Sequence, residues 1–176
     1  MEYSISVLNS THKKENFKCD RESLDDYIKK QAKQDTRRSL SICYVLEDSK
    51  GVVKGYFTLS SASIPREDMP EELLGKLPRY PNFPATLLGR LALDNTVKGK
   101  KLGSALLYAA LKKALINSEV VASLAVIVDP LDKVARNFYS RHEFIDLPDS
   151  GRMFLPMATI KQLVEQESTV GNGLSD

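Results

Sequence analysis

The chain has 176 residues, 42% of them hydrophobic and 27% charged, with 25 basic and 23 acidic side chains and a formal net charge of +2. That length is one domain plus a short tail, read as residues 1–166 and 167–176, and the near-balanced charge does not by itself announce a nucleic-acid binder. Two cysteines, Cys19 and Cys43, exclude a disulfide framework, and no run approaches the ~20 apolar residues of a membrane span or the pattern of a secretory signal, so a cytoplasmic protein is expected.

Tyr3 to Leu8 alternates and reads as a first strand. Asp20 is a plausible N-cap for a helix over about 21–35, with acids early, lysines late and Leu24, Tyr27, Ile28 and Ala32 on one face. Ser41–Leu46 and Val52–Ile64 read as strands joined at Asp48-Ser49-Lys50-Gly51, a hairpin signal. Four prolines between Pro65 and Phe83 break any long element. Ala85–Asp94 is a leucine-rich strand, and Leu102–Leu115 repeats its apolar residues at helical spacing. Val120–Val128 reads as a central strand covered on both faces, followed by a helix from Pro130 to about Arg141. Glu143–Leu147 and Arg152–Pro156 read as closing strands, Thr159–Gln166 as a last helix, and Ser168–Asp176 as a disordered tail. The order predicts an α/β (α+β) fold: a mixed, mostly antiparallel twisted sheet of six to seven strands with helices on both faces.

The chemistry concentrates between Leu88 and Phe144. A strand (LLGRLALD) runs through a glycine- and lysine-bearing loop (NTVKGKKLG) into a long helix. Unpaired amides at such a helix start form an anion site, and Lys98, Lys100 and Lys101 add positive charge, so a pyrophosphate is the natural guest. A solvated helix start explains the same residues, and neither the phosphate loop of nucleotide triphosphatases nor GxGxxG is present. Tyr139 follows Phe138 near the end of the next helix, a position that, taken alone, is more often core packing with a wet hydroxyl.

Together these segments resemble the Gcn5-related N-acetyltransferase (GNAT) superfamily. Its cofactor motif, [Q/R]-x-x-G-x-[G/A], aligns with Lys98-Gly99-Lys100-Lys101-Leu102-Gly103, and A-x-x-F-Y-x-x-x-G-F with Ala135 to Phe144. FKCDRESLDDYIKKQAKQD, LPRYPNFPATLLGRLALD and FLPMATIKQL further resemble the TacT-like toxins of toxin–antitoxin pairs, so the likeness spans about residues 3–163. Three positions depart from the pattern: Lys98 for glutamine or arginine, Lys101 for the first glycine, and Glu143 for the glycine before Phe144. Lys101 is tolerable there if its φ is negative, whereas a left-handed Glu143 costs on the order of 1 kcal/mol.

The resemblance implies acetyl-CoA as donor and no metal. Its pyrophosphate would sit on Lys98, Gly99, Lys100, Lys101, Leu102, Gly103 and Ser104, with Phe138 nearby, and its pantetheine arm along Leu91, Ala92 and Leu93. Tyr139 would be the general acid toward the leaving thiolate, and the acceptor would be the α-amine of aminoacyl-tRNA, so that translation is blocked. A DNA-binding antitoxin and a homodimer are the implied partners. Candidate tRNA contacts are Lys29, Lys33 and Arg37, spaced i, i+4, i+8, together with Arg79 and Arg90. The basic run is, as charge runs usually are, also readable as a solvated helix face, and Arg90, inside an apolar strand, is either a buried ion pair or a cleft residue. No residue stands out as general base, and His12 and His142 receive no role. An α-amine with a pKa near ~7.7–8.0 needs less help from a base than a lysine at ~10.4. The alternatives are a GNAT acting on a small amine or a protein N-terminus, or a module that only binds acetyl-CoA.

Overall fold

The structure is a computed structural model that describes residues 2–172. Seven strands form one sheet in the order β1-β2-β3-β4-β5-β7-β6. They are β1 (Tyr3–Val7), β2 (Ile42–Asp48), β3 (Val53–Pro65), β4 (Asn82–Leu93), β5 (Ala125–Val128), β6 (Ile145–Asp146) and β7 (Met153–Pro156). β1, β2 and β3 form an antiparallel meander, with Ile5 opposite Leu46 and Val45 opposite Tyr56. β4 and β5 run parallel, Thr86 opposite Val126. A parallel step requires a long crossover, supplied by the helix α4 (Leu102–Ser118). β7 then pairs antiparallel with both β5 and β6. This is the mixed α+β architecture the sequence implies.

The chain divides into two compact units, Met1–Ser60 with Leu88–Ala110, and Ser61–Leu87 with Leu111–Asp176. In the first, Leu8, Phe17, Leu24, Ile28, Val45, Val53 and Ala92 pack around Tyr56, whose hydroxyl donates to the Leu24 carbonyl at 2.7 Å. Gly55 has a steric reason: a Cβ there would lie 2.8 Å from Leu93 Cδ2 and 3.2 Å from Leu106 Cδ2, so α4 reaches β3 only over a bare backbone. In the second unit Ile64, Phe83, Ala85, Ile127, Leu147 and Phe154 form the core.

Several elements differ from their sequence reading. The helix expected over 21–35 is built of α1 (Glu22–Asp26), a π-turn (Tyr27–Gln31) and α2 (Ala32–Arg37). Asp20 does not cap it: Asp20 is left-handed at φ 65°, and the Asp25 carboxylate takes the Cys19 N–H instead, at 2.8 Å. The segment Pro65–Phe83 holds a 3-10 turn at Arg66–Asp68 and a short helix, α3 (Glu71–Leu74). The strand expected from Val120 begins only at Ala125, because the N–H groups of Val120 and Val121 close the last turn after α4 on the Asn117 carbonyl. Both valines are exposed. α5 (Lys133–Arg141) starts three residues after Pro130, where the Asp132 carboxylate caps the Ala135 N–H at 2.9 Å. α6 (Met157–Asn172) extends past Gln166, with Ser168 and Thr169 hydroxyls bonded to carbonyls one turn back. The expected tail is therefore helical as far as Asn172, and residues 173–176 lie outside the described ones. Among the described residues no helix is long and apolar enough to cross a membrane.

Candidate active site

The segment in which the sequence suggests an acetyl-CoA site, Leu91–Ser104, lies wholly in the first unit. On β4, Ala92 is buried and Leu91 and Leu93 are half-buried. Asp94 ends the strand and anchors the loop behind it. Its Oδ1 accepts the Thr96 N–H and hydroxyl, and its Oδ2 accepts the Lys18 N–H at 2.9 Å. Burial alone would raise the Asp94 pKa; these donors prevail and hold its carboxyl below the usual carboxylate range. Asn95 N–H returns to the Lys18 carbonyl at 2.8 Å, so the start of the loop is tied to the Lys18 segment from both sides.

Past that anchor the backbone turns twice through left-handed conformations, at Gly99 (φ 79°) and Lys101 (φ 58°). Gly99 adopts this freely, and nothing lies within 4 Å of where its Cβ would be. Lys101 does not meet the condition of negative φ on which it could replace glycine. The chain must reverse here to enter α4, and the lysine carries a strain of about 1 kcal/mol. Leu102 and Gly103 then open α4 ahead of its first internal bond, Ala105 N–H to Lys101 O at 3.5 Å. Exposed Ser104, Lys100 and Lys101 stand beside them. Outward amides, two lysines and a bare Gly99 fit a pyrophosphate. The Lys98 ammonium is engaged elsewhere, 3.2 Å from the Cys19 carbonyl and 3.5 Å from the Asp20 carboxylate.

Tyr139 and Phe138 lie in the second unit. Sequence dictates the local geometry through the end of α5. Phe144 N–H bonds the Tyr139 carbonyl at 3.2 Å and Glu143 N–H bonds the Ser140 carbonyl at 3.2 Å, with Glu143 left-handed at φ 68°. This is a Schellman cap, which explains why the family motif has a glycine at that place and an apolar residue after it. The cap brings the Phe144 ring to 5.2 Å from the Tyr139 ring, and Phe138 packs on it at 5.3 Å. Burial pushes the Tyr139 hydroxyl well above the ordinary tyrosine value, so at neutral pH it keeps its proton and is a donor.

Of the five basic candidates, Lys29, Lys33, Arg37 and Arg90 belong to the first unit and exposed Arg79 to the second. The π-turn changes the expected row. Lys33 and Arg37, both on α2, are exposed, whereas Lys29 is half-buried and its carbonyl, like that of Ile28, accepts the Lys14 ammonium at 3.0 Å. Lys14 carried no sequence signal; its pKa is lowered by burial and then by the nearby Lys33. Arg90 is a stacked cation: its guanidinium lies 3.6 Å above the Tyr27 ring. Tyr27 is in turn fixed by bonds to Asp35 and Ser41.

Both histidines are hydrogen-bonded within the fold. Buried His12 accepts the Asn9 N–H on Nδ1, which leaves the Nε2 proton facing Ser6 and Glu47, at 3.0 and 3.2 Å. His142 Nδ1 is 2.7 Å from the Phe138 carbonyl. Burial pushes the thiols of Cys19 and Cys43 up to about 11 and about 12, far from a nucleophile's range.

No family model matches the chain. A tRNA-acetylating toxin of Mycobacterium tuberculosis (strain ATCC 25618 / H37Rv) is 32% identical over 149 residues, 84% of this chain and 88% of the relative. Among solved structures, AtaT complexed with acetyl-methionyl-tRNAfMet superposes with a TM-score of 0.85 at 26% identity, over 93% of this chain and 99% of that one. AtaTR bound with AcCoA gives a TM-score of 0.81 at 26% identity, over 92% and 98%.

Proposed function

The chain belongs to the family of tRNA-acetylating toxins, acetyltransferases of the GNAT fold, and from that premise we propose that it transfers the acetyl group of acetyl-CoA to the α-amine of aminoacyl-tRNA in the cytoplasm. The loop from Lys98 to Ser104, two left-handed turns running into open helix amides, is the observation that carries the reading. Acetyl-CoA, when bound, supplies an activated thioester. The amides of Leu102 and Gly103 and the ammonium groups of Lys100 and Lys101 hold its diphosphate. The β4 backbone around Ala92 orients its amide arm. Tyr139 would supply the proton that the departing thiolate sulfur takes, an effect typically worth ~10²–10⁴-fold, and the proton shed by the acylated amine nitrogen would restore the hydroxyl. The amine is the nucleophile and needs no strong base, since a free α-amine is partly neutral at pH 7.

Lys33, Arg37 and Arg90, with Lys29 and Arg79 in support, meet the phosphates of the acceptor. Blocking charged tRNA would poison its own host, so a partner must neutralise the toxin; we assign this to a DNA-binding antitoxin that covers the site. The test is incubation with labelled acetyl-CoA and a charged tRNA pool. Label should appear on the aminoacyl group released from tRNA by mild base. Label on small amines or protein N-termini, with charged tRNA ignored, would replace the acceptor.

A further inference from the structure

We propose that Tyr27 is a positioning residue for tRNA acetylation: its ring holds the Arg90 guanidinium by one face, so that the charge and the N–H donors of the arginine are kept for a phosphate of the acceptor. This rests on charged tRNA being the acceptor.

Arg90 projects from the apolar strand β4 and is half-buried. A cation in such a place ordinarily finds a carboxylate. Here its Cζ lies 3.6 Å from the centre of the Tyr27 ring, which is contact distance. Among the described residues no hydrogen bond or ion pair engages the guanidinium. The groups that feel its charge are Tyr27, Tyr56 and Cys43, and burial raises the pKa of each, so none is an anion at neutral pH.

The choice of an aromatic partner decides what Arg90 can still do. A carboxylate would neutralise the cation and take two of its five N–H groups. An aromatic face attracts the cation through the ring quadrupole and spends none of those donors on an acceptor. The acid bonded to Tyr27, Asp35, is itself engaged. Its Oδ1 accepts from Gln31 Nε2 at 2.8 Å and its Oδ2 from the Tyr27 hydroxyl at 3.0 Å.

The ring is a fixed platform. Ser41 Oγ meets its hydroxyl at 3.1 Å, and the Tyr56 ring lies 22° from parallel with centroids 6.1 Å apart. Tyr27 also opens the π-turn: the Ala32 N–H returns to its carbonyl, and the Lys14 ammonium holds the next two carbonyls at 3.0 Å. Backbone, hydroxyl and ring are thus all held within the first unit, to which Arg90 also belongs.

A graded change of the ring tests this. The full chain is made with Tyr27→Phe, and then with that phenylalanine bearing one or three ring fluorines, which drain negative charge from the face and nearly keep its size. On charged tRNA, Tyr27→Phe should keep KM within about twofold. Fluorination should raise KM stepwise, to roughly fivefold, as for a desolvated cation–π contact, with kcat within about twofold. Acetyl-CoA affinity and melting temperature should hold through the series. Arg90→Ala should raise KM about tenfold and lower the log–log salt slope by about one unit, and in that background fluorination should have no effect. A flat KM across the series, a fluorine effect that persists without Arg90, or an unchanged slope in Arg90→Ala overturns the proposal while tRNA stays the acceptor. A KM that rises only as the melting temperature falls makes Tyr27 a packing residue and overturns it too. A wild type that ignores charged tRNA removes the acceptor reading and the proposal together.

Discussion

Tyr139 illustrates how one side chain's chemistry is set by its neighbours. Its carbonyl terminates α5 and its ring is clasped by Phe138 and Phe144. That burial keeps the hydroxyl protonated past the ordinary value of 10.0. With the folded pKa raised, the donor form persists through the whole neutral range, so the kcat profile should show no falling limb from this group below about pH 10. Tyr139→Phe should keep acetyl-CoA affinity within about twofold and lower kcat by ~10²–10⁴-fold, measured by single-turnover assay and calorimetry. Near-normal turnover would remove the tyrosine from the proton path. Four residues on, Glu143 holds a glycine's conformation. Glu143→Gly should raise the melting temperature by ~2–4 °C, about 1 kcal/mol at this chain length, less what glycine adds to unfolded-state entropy. An unchanged or lower melting temperature would mean that the glutamate side chain makes a stabilising contact of its own.

At the scale of elements, what periodicity encodes and what it omits separate cleanly. The strands of the β1–β3 meander and the crossover α4 are readable from alternation and helical spacing, because each buries one face, whereas the motif around Tyr139 is readable only through its resemblance to a family pattern. The π-turn is not: its extra residue per turn is stabilised by Lys14, fourteen residues before Ile28, and no local pattern records that bond. β5 is shorter than its apolar run, since Val120 and Val121 are apolar by composition yet taken up in closing α4. The loop from Lys98 to Ser104 is legible as a motif, but its tether is not, for Asp94 works through Lys18, distant in sequence. That tether makes a pH prediction. Asp94 has its folded pKa depressed below 3.8, so its contribution is present above that value and is lost as pH falls through the folded pKa. Asp94→Asn should cost about 1–3 kcal/mol at pH 7, read by urea unfolding. The gap between variant and wild type should narrow below about pH 4; a gap constant down to pH 2 would show that the carboxylate's charge is not what the tether uses.

For the molecule as a whole, charge must be judged by where it is exposed, because a net +2 over 176 residues attracts no polyanion on its own. Of the basic candidates for tRNA, those in the first unit lie along the π-turn, α2 and β4. Lys30 is paired with Asp26 at 2.8 Å, Lys14 is committed to the π-turn and Lys29 is half-buried. Lys33 and Arg37 remain exposed one turn apart, with the Arg90 guanidinium 3.6 Å above the Tyr27 ring. If the acceptor is tRNA, the two α2 residues contribute counterion release, a term that no small amine supplies. Lys33→Ala with Arg37→Ala should therefore weaken acetylation of charged tRNA and lower its log–log salt slope by up to ~2, about one unit for each phosphate no longer neutralised. Adding Lys29→Ala should change the slope by less than either exposed residue, since the π-turn has taken it out of the row. Acetyl-CoA affinity and melting temperature should hold, because solvated cations contribute little to the fold. A small aminoacyl ester should be acetylated equally by both forms, having no tRNA backbone to engage. Rates measured from low to moderate salt decide between the two readings of this helix. A double variant that keeps both rate and slope on tRNA makes α2 a solvated face, and the phosphates must then be met by Arg90 and Arg79.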